Sequence, residues 1–334
     1  MKIIFRTNGG KNMGLGHLFR CLSLAKAIKT IDNKTTIIFI SNLEVKEIIE
    51  DENFDFVSSE EFDDKDKEII KNLKPEIIIF DSYLANNKYL NSLKKISKKL
   101  IIFDDNNDIY DSSIPNIIIN GNLHAKELNY FNREKHLLGS KYLVMKEAYW
   151  NNDKLTKEND SNPITITTGG SDFNNLMPKF IKSLNDLPQI KNIIIGPSYT
   201  QEQIKQIENI TDDSFNIIYK PKSLKIYIQN SEIIMTAAGS TVYEVLTLNK
   251  IPVIYSLAEN QNLLASELKT YGIVNLGWHE DINWINLENI INKVLNNKDK
   301  YLNQLKNLSS IFDGKGALRV ANKILDLKEI LWKN

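Results

Sequence analysis

The sequence predicts an α/β protein built as two parallel-sheet halves, on three observations. Short apolar runs alternate with longer amphipathic segments, the pattern of strands joined by crossover helices. The runs are apolar almost throughout, so both faces of each sheet are covered. Between residues 151 and 162 apolar content nearly vanishes, and the strand–helix pattern restarts after it. The expected domains are therefore 1–150 and 163–334.

In the first half, Ile3-Ile4-Phe5 reads as a strand that runs into the glycine loop Gly14-Leu15-Gly16-His17. A helix leaves this loop, because Leu18, Cys21, Leu22, Leu24, Ala25 and Ile28 recur at helical spacing. Residues 36–40 form the next strand, 43–49 a helix, 54–57 a short strand and 63–73 a charged helix stopped by Pro75. Residues 76–81 are a continuous apolar strand ending in Asp81, with Tyr83 close behind. Residues 89–100 read as a helix with a lysine-rich solvated face. Residues 101–105 again run from strand to carboxylate, and 117–120 end in Asn120.

Open α/β sheets bind ligands beyond the carboxyl ends of their strands. His17, Asp81, Asp104 and Asn120 are all predicted at that edge. Taken singly, each is a common helix cap or turn former. Together, beside a glycine loop and a helix start suited to anions, they favour a site. The loop is not a Walker loop, since no Gly-Lys-Ser/Thr follows, and Phe19 replaces the third glycine of a dinucleotide fingerprint. His124, His136 and His279 show no metal-ligand spacing and read as structural or surface residues.

The second half opens as the first did. Residues 164–168 are a strand, Gly169-Gly170-Ser171-Asp172 a tight loop and 174–184 a helix. Residues 193–195 and 215–219 are strands; 201–208 and 224–229 are helices. Residues 233–237 feed Gly239-Ser240-Thr241 at the start of a helix over 242–248, a setting suited to a diphosphate. Glu244, one turn on, can accept hydrogen bonds from sugar hydroxyls or simply favour the helix dipole. Residues 252–255 form a strand before Leu257-Ala258-Glu259-Asn260-Gln261, and 316–332 a long final helix.

Composition narrows the function classes. Lys+Arg and Asp+Glu both number 42, a zero net charge that argues against a nucleic-acid partner. Cys21 is the single cysteine, which excludes an intrachain disulfide; its apolar helix position marks a core thiol. No signal-peptide pattern or membrane-length apolar run is present, so the expectation is a cytoplasmic protein without stable membrane insertion. No metal and no cofactor are expected, and oligomeric state is not legible.

Four motifs carry a family resemblance. Residues 14–25, Thr167-Thr168-Gly169-Gly170-Ser171-Asp172, Ala237 to Glu244 and Leu257 to Gln261 occur in order. In that order they resemble the pseudaminic-acid pathway UDP-sugar hydrolases and the spore-coat polysaccharide protein G group. The second-half motifs also resemble the murein N-acetylglucosaminyltransferase. The resemblance implies GT-B architecture, two Rossmann-like domains facing across a cleft, with a UDP-sugar as substrate. Asp81-Ser82-Tyr83 replaces the Asp-His-Tyr usual in the hydrolases and leans towards the spore-coat group.

The resemblance implies roles for particular residues. Gly170 and Ser171 approach the diphosphate, assisted by Ser240 and Thr241, with Gly169 and Gly239 among the expected substrate-binding residues of the same loops. Glu244 binds ribose, and Asn260 and Gln261 hold the sugar side. Arg6, Gly14, Gly16, Arg20, Asp104 and Asn120 complete the expected substrate contacts. The implied reaction is hydrolysis of a UDP-linked 2,4-diacetamido-2,4,6-trideoxy hexose. His17 takes a proton from water, with Asp81, Tyr83 or Asp104 orienting it or the sugar. The alternatives are a UDP-sugar glycosyltransferase and a non-catalytic nucleotide-sugar-binding protein.

Overall fold

The structure, a computed structural model, describes residues 1–10, 13–151 and 163–331. It divides into two compact units, Met1–Trp150 with Gly314–Asn334, and Asn151–Asp313. Beyond Asn151, the expected boundary segment lies outside the described residues.

The first unit runs β1 (Lys2–Thr7), α1 (Gly16–Ile31), β2 (Thr36–Ser41), α2 (Lys46–Asp51), β3 (Asp55–Ser58) and α3 (Asp64–Leu73). It continues through β4 (Ile77–Asp81), α4 (Asn87–Ile96), β5 (Lys99–Phe103), β6 (Ile117–Asn120) and the two-residue β7 (Leu137–Leu138). The sheet is parallel, in the order β3-β2-β1-β4-β5-β6-β7. Chain direction across the sheet therefore reverses between β1 and β4. Asp63 and Asn86 cap α3 and α4 by accepting the backbone N–H of Asp66 and Tyr89.

The register of this sheet fixes which face each side chain takes. Ile3 pairs with both Ile37 and Ile77, Ile79 with Ile101, Ile101 with Ile117, and Ile119 with Leu137. Every offset is even, so in these strands odd-numbered residues share one face and even-numbered residues the other. Ile3, Phe5, Ile37, Phe39, Ile77, Ile79, Ile101 and Phe103 accordingly pack with α1. Ile4, Ile38, Ile40, Ile78, Phe80, Leu100 and Ile102 pack with Tyr89, Leu90 and Leu93 of α4.

The second unit comprises β8 (Ile164–Thr167), α5 (Met177–Ser183), β9 (Lys191–Ile195), α6 (Gln201–Glu208), β10 (Phe215–Tyr219) and α7 (Lys225–Gln229). β11 (Ile233–Ala237), α8 (Ser240–Thr247), β12 (Ile251–Ser256), α9 (Asn262–Thr270), β13 (Val274–Trp278), α10 (Leu287–Leu295) and α11 (Lys298–Ser309) follow. Its parallel sheet is ordered β10-β9-β8-β11-β12-β13, reversing direction between β8 and β11. Thr200 and Gln203 form a reciprocal capping box at α6.

Three sequence expectations shift. The helix read over 89–100 ends at Ile96, because Ser97 is extended and Leu100 already pairs with Ile78 in the sheet. β7, β13, α10 and α11 have no counterpart in the sequence reading. Most consequentially, α12 (Gly316–Leu331) joins the first unit, not the second. Its Ala317, Val320, Ala321 and Ile324 are fully buried in the cluster that contains α1. On α1, Leu18, Cys21, Leu22, Ser23, Leu24, Ala25, Ala27 and Ile28 are buried, which is more than one helical face. The sheet covers one side and α12 another.

Among the described residues, no helix is long and apolar enough to cross a membrane. The packing of α12 predicts that Ile324→Ala, which empties a fully buried site, destabilises the first unit by about 2–5 kcal/mol. Hydrogen exchange resolved to individual strands should show faster global opening in β1, β4 and β5; acceleration confined to β8–β13 would contradict the assignment.

Candidate active site

In the first unit, β1 and β4 lie side by side, and Thr7 pairs with Asp81 at their carboxyl ends. This is the point where the sheet reverses direction, the usual ligand crevice of an open α/β sheet. The loop leaving β1 holds Gly14 at φ +76°, a left-handed conformation that glycine adopts without strain. A side chain at Gly14 or Gly16 would meet nothing within 4 Å, so the backbone there is open. α1 starts at Gly16 with no side-chain cap and no acidic residue in its first turn. Its first N–H groups are thus not taken by a capping side chain.

Here one carboxylate gathers two side chains from α1. His17 Nδ1 lies 2.6 Å from Asp81 Oδ1. Arg20, three residues along the helix, donates from Nε to Asp81 Oδ2 at 2.9 Å and from Nη2 to Oδ1 at 2.8 Å. Its remaining corner, Nη1, reaches Asp105 Oδ1 and Oδ2 at 2.8 and 3.0 Å. The guanidinium lies over the Phe103 ring, 4.6 Å from its centroid. Tyr83 donates its hydroxyl to Asp105 and meets the His17 ring edge-on at 4.5 Å.

The electrostatics follow from these contacts. Burial alone would raise the Asp81 carboxyl, but Arg20 and His17 outweigh it and hold it below the usual carboxylate range. Asp105 is likewise opposed by burial, yet Arg20 and the Tyr83 hydrogen bond hold it well below that range. Burial, then the adjacent Asp105, pushes the Tyr83 hydroxyl far above its ordinary value. Tyr83 therefore keeps its proton and serves as a donor. An ionised Asp81 at 2.6 Å requires the proton of a neutral His17 ring on Nδ1, which leaves the Nε2 lone pair as a proton acceptor.

The other expected contacts of this unit fall elsewhere. Arg6 is fully buried: Asp66 lies 2.9 Å from its Nε, Nη1 donates to Asn8 Oδ1 at 2.5 Å and Nη2 to the Glu61 carbonyl at 3.1 Å. It forms an internal ion pair with Asp66, and its guanidinium lies over the Phe62 ring. Asp104 ties its own loop by accepting Asn107 N at 2.6 Å, Asn106 N at 3.1 Å and the Tyr130 hydroxyl at 2.9 Å. Asn120 donates to the Asp105 carbonyl and to Tyr130, both at 3.0 Å. Arg20, expected as a substrate contact, has its fork on two carboxylates. The sequence reading passed over Asp105, although side-chain parity marks it. Asp81 and Asp105 follow the odd-numbered face that packs on α1, while Arg6, Asp104 and Asn120 follow the even-numbered one.

In the second unit, β8 and β11 are neighbours, with Thr167 paired to Thr236, so the loops after them leave the edge side by side. Gly169 has φ +90°, and a side chain at Gly169 or Gly170 would meet nothing within 4 Å. Ser171 is half-buried, and its carbonyl accepts the Thr168 hydroxyl at 2.9 Å. Gly239 is the N-cap of α8, with no side-chain cap and no acidic residue in the first turn. Ser240 is exposed, Thr241 half-buried and Glu244 buried. Gln261 accepts the Leu257 N–H at 2.8 Å, and its Nε2 stands 3.9 Å from where a Gly239 side chain would begin. Asn260 is exposed on the same turn. The structure thus gathers the glycine loops and Gln261 at one strand edge. Among the described residues, no group of three or more His, Cys, Asp or Glu side chains could hold a metal ion.

A carboxyl held below its unfolded value stabilises the fold above that unfolded value, about 4, and the contribution is lost as pH falls through the folded value. The first unit should therefore lose stability on acidification below about pH 4, and Asp81→Asn should flatten this dependence. Urea midpoints measured against pH check it; equal slopes in parent and variant would contradict the ion-pair account.

No protein-family model matches the chain. An uncharacterized protein of Methanocaldococcus jannaschii is 29% identical over 272 residues, covering 76% of this chain. The chain spans about half of that longer protein, 55% of its length. The spore coat polysaccharide biosynthesis protein G of Bacillus subtilis is 21% identical over 96% of this chain and 97% of its own. The UDP-2,4-diacetamido-2,4,6-trideoxy-beta-L-altropyranose hydrolase of Campylobacter jejuni is 23% identical over 81% of this chain and 97% of its own. Among solved structures, the spinosyn forosaminyltransferase SpnP superposes with a TM-score of 0.74 at 8% identity, over 98% of this chain and 99% of its own. The Acinetobacter baumannii MurG does so with 0.67 at 14% identity, over 98% and 100%. Two Rossmann-like units with the GT-B fold make up this chain, which is similar in sequence to the spore coat polysaccharide biosynthesis protein G and to the UDP-sugar hydrolase.

Proposed function

We propose that the protein is an enzyme that cleaves the bond between the anomeric carbon of a UDP-linked amino sugar and UDP. The observation that carries this reading is the Asp81–His17 pair at the β1/β4 edge, 2.6 Å between Nδ1 and Oδ1. Its setting supports a nucleotide-sugar substrate. One curated relative is named for spore coat polysaccharide biosynthesis and another as a hydrolase of a UDP-diacetamido-trideoxy sugar.

With water as acceptor, the step balances as follows. Water attacks the anomeric carbon while His17 Nε2 takes its proton, and Asp81 stabilises the imidazolium that forms. The bond from that carbon to the β-phosphate oxygen breaks, and its electrons leave on UDP. UDP is a good leaving group, so the protein's part is to stabilise the developing charge. Gly169, Gly170, Ser171 and the α8 start at Gly239, Ser240 and Thr241 offer backbone N–H groups and hydroxyls for it. Glu244, Asn260 and Gln261 are assigned to ribose and sugar. A glycosyltransferase is the second reading, because the same Nε2 would serve an acceptor hydroxyl as well as water.

One assay separates the readings. UDP release from UDP-amino sugars without acceptor supports the hydrolase; release only with an acceptor supports the transferase; UDP binding without either overturns both. His17→Asn should cut turnover by about 10²–10⁴-fold with UDP affinity unchanged, because the nucleotide loops belong to the second unit. Turnover within a few-fold of the parent would leave His17 a structural residue.

A further inference from the structure

The His17 cluster contains more charge than an Asp–His pair needs. Arg20 places Nε and Nη2 on Asp81, so the carboxylate that orients His17 is also held by a full positive charge. A guanidinium paired with Asp81 alone would cancel much of its field at the imidazole. Asp105 occupies the other corner of the same guanidinium and accepts Tyr83 and Asn122 as well, the latter at 2.9 Å. With Asp81 and Asp105 ionised and Arg20 protonated, the cluster carries one net negative charge while His17 is neutral. It becomes neutral when His17 gains a proton.

We propose that Asp105 is a positioning residue for the His17 reaction: it offsets the Arg20 charge, so that Asp81 remains free to stabilise the imidazolium. The proposal rests on the reading of His17 as the proton acceptor. The groups facing the Asp81–His17 pair come from four segments. α1 contributes Arg20 and Cys21, whose thiol lies 3.8 Å from Asp81 Oδ2 and is kept protonated by burial and then by Asp81. Tyr83 follows β4, Asp105 follows β5, and Asn122 and His124 follow β6. His124 Nε2 lies 3.2 Å from the Asp105 carbonyl. Of these, Asp105 is the carboxylate that touches Arg20 without touching His17.

The test compares the full-length parent with Asp105→Asn and Asp105→Glu, using a UDP-sugar from which the parent releases UDP. UDP affinity is measured in parallel by calorimetry. Asp105→Asn should lower kcat by about 10–100-fold, the span of one hydrogen bond to a charged group, with KM and UDP affinity unchanged. The acid limb of its pH–rate profile should move to lower pH, because the imidazolium is less well stabilised. Asp105→Glu should restore the parent's acid limb, and it carries the test if the Asn variant does not fold. A kcat within twofold of the parent, or a loss of activity with an unmoved acid limb, would overturn the proposal while leaving the functional reading intact. So would a folded Glu variant as impaired as the Asn one. A parent that releases no UDP with or without acceptor overturns the functional reading, and this inference with it.

Discussion

Asp81 is the group on which the first unit's site depends. Its carboxylate is fully buried at the end of β4, where an unpaired charge would be costly. His17 and Arg20, three residues apart on α1, satisfy it from one helix face. The same contacts join the start of α1 to the sheet and orient the imidazole. Local fold and proposed chemistry therefore use the same atoms. Removing Asp81 would take the acceptor from Nε and Nη2 of Arg20, leaving it paired with Asp105 alone, and would free a ring in a single step.

The two units use one device twice. In each, the sheet reverses direction between the strands that carry the glycine loops or their polar partners, β1 beside β4 and β8 beside β11. In each, a helix starts there without a side-chain cap. What differs is the chemistry placed at that edge. The first unit concentrates ionisable groups whose pairing holds a proton acceptor. The second presents open glycine backbone, hydroxyls and amide side chains, groups that recognise anions and sugars without titrating near neutral pH. That division matches a proton-transfer role for one unit and a nucleotide-holding role for the other.

Much of this was legible in the sequence, for a definite reason. Continuous apolar strands and glycine loops are local signals, and they marked both sheets and the residues around His17, Gly169 and Gly239. Side-chain parity was also available, because a strand turns successive residues to opposite faces. Phe5 belongs with the α1 core and Arg6 with the other, and the same alternation selects Asp105 over Asp104. What sequence could not show was pairing across distance. The commitment of Arg20 to two carboxylates, the return of α12 to α1 and the meeting of Gln261 with Gly239 each join residues far apart in the chain. The breadth of burial on α1, seen only in the structure, is what the return of α12 accounts for.

The central claim is that Asp81 fixes His17 with its proton on Nδ1 and its lone pair on Nε2. Nitrogen-15 NMR of the full-length protein, at a pH where the ring is neutral, reads this tautomer directly. The account predicts a protonated Nδ1 with a far-downfield proton resonance, a bare Nε2, and loss of that resonance in Asp81→Asn. A neutral ring carrying its proton on Nε2 in the parent would contradict it.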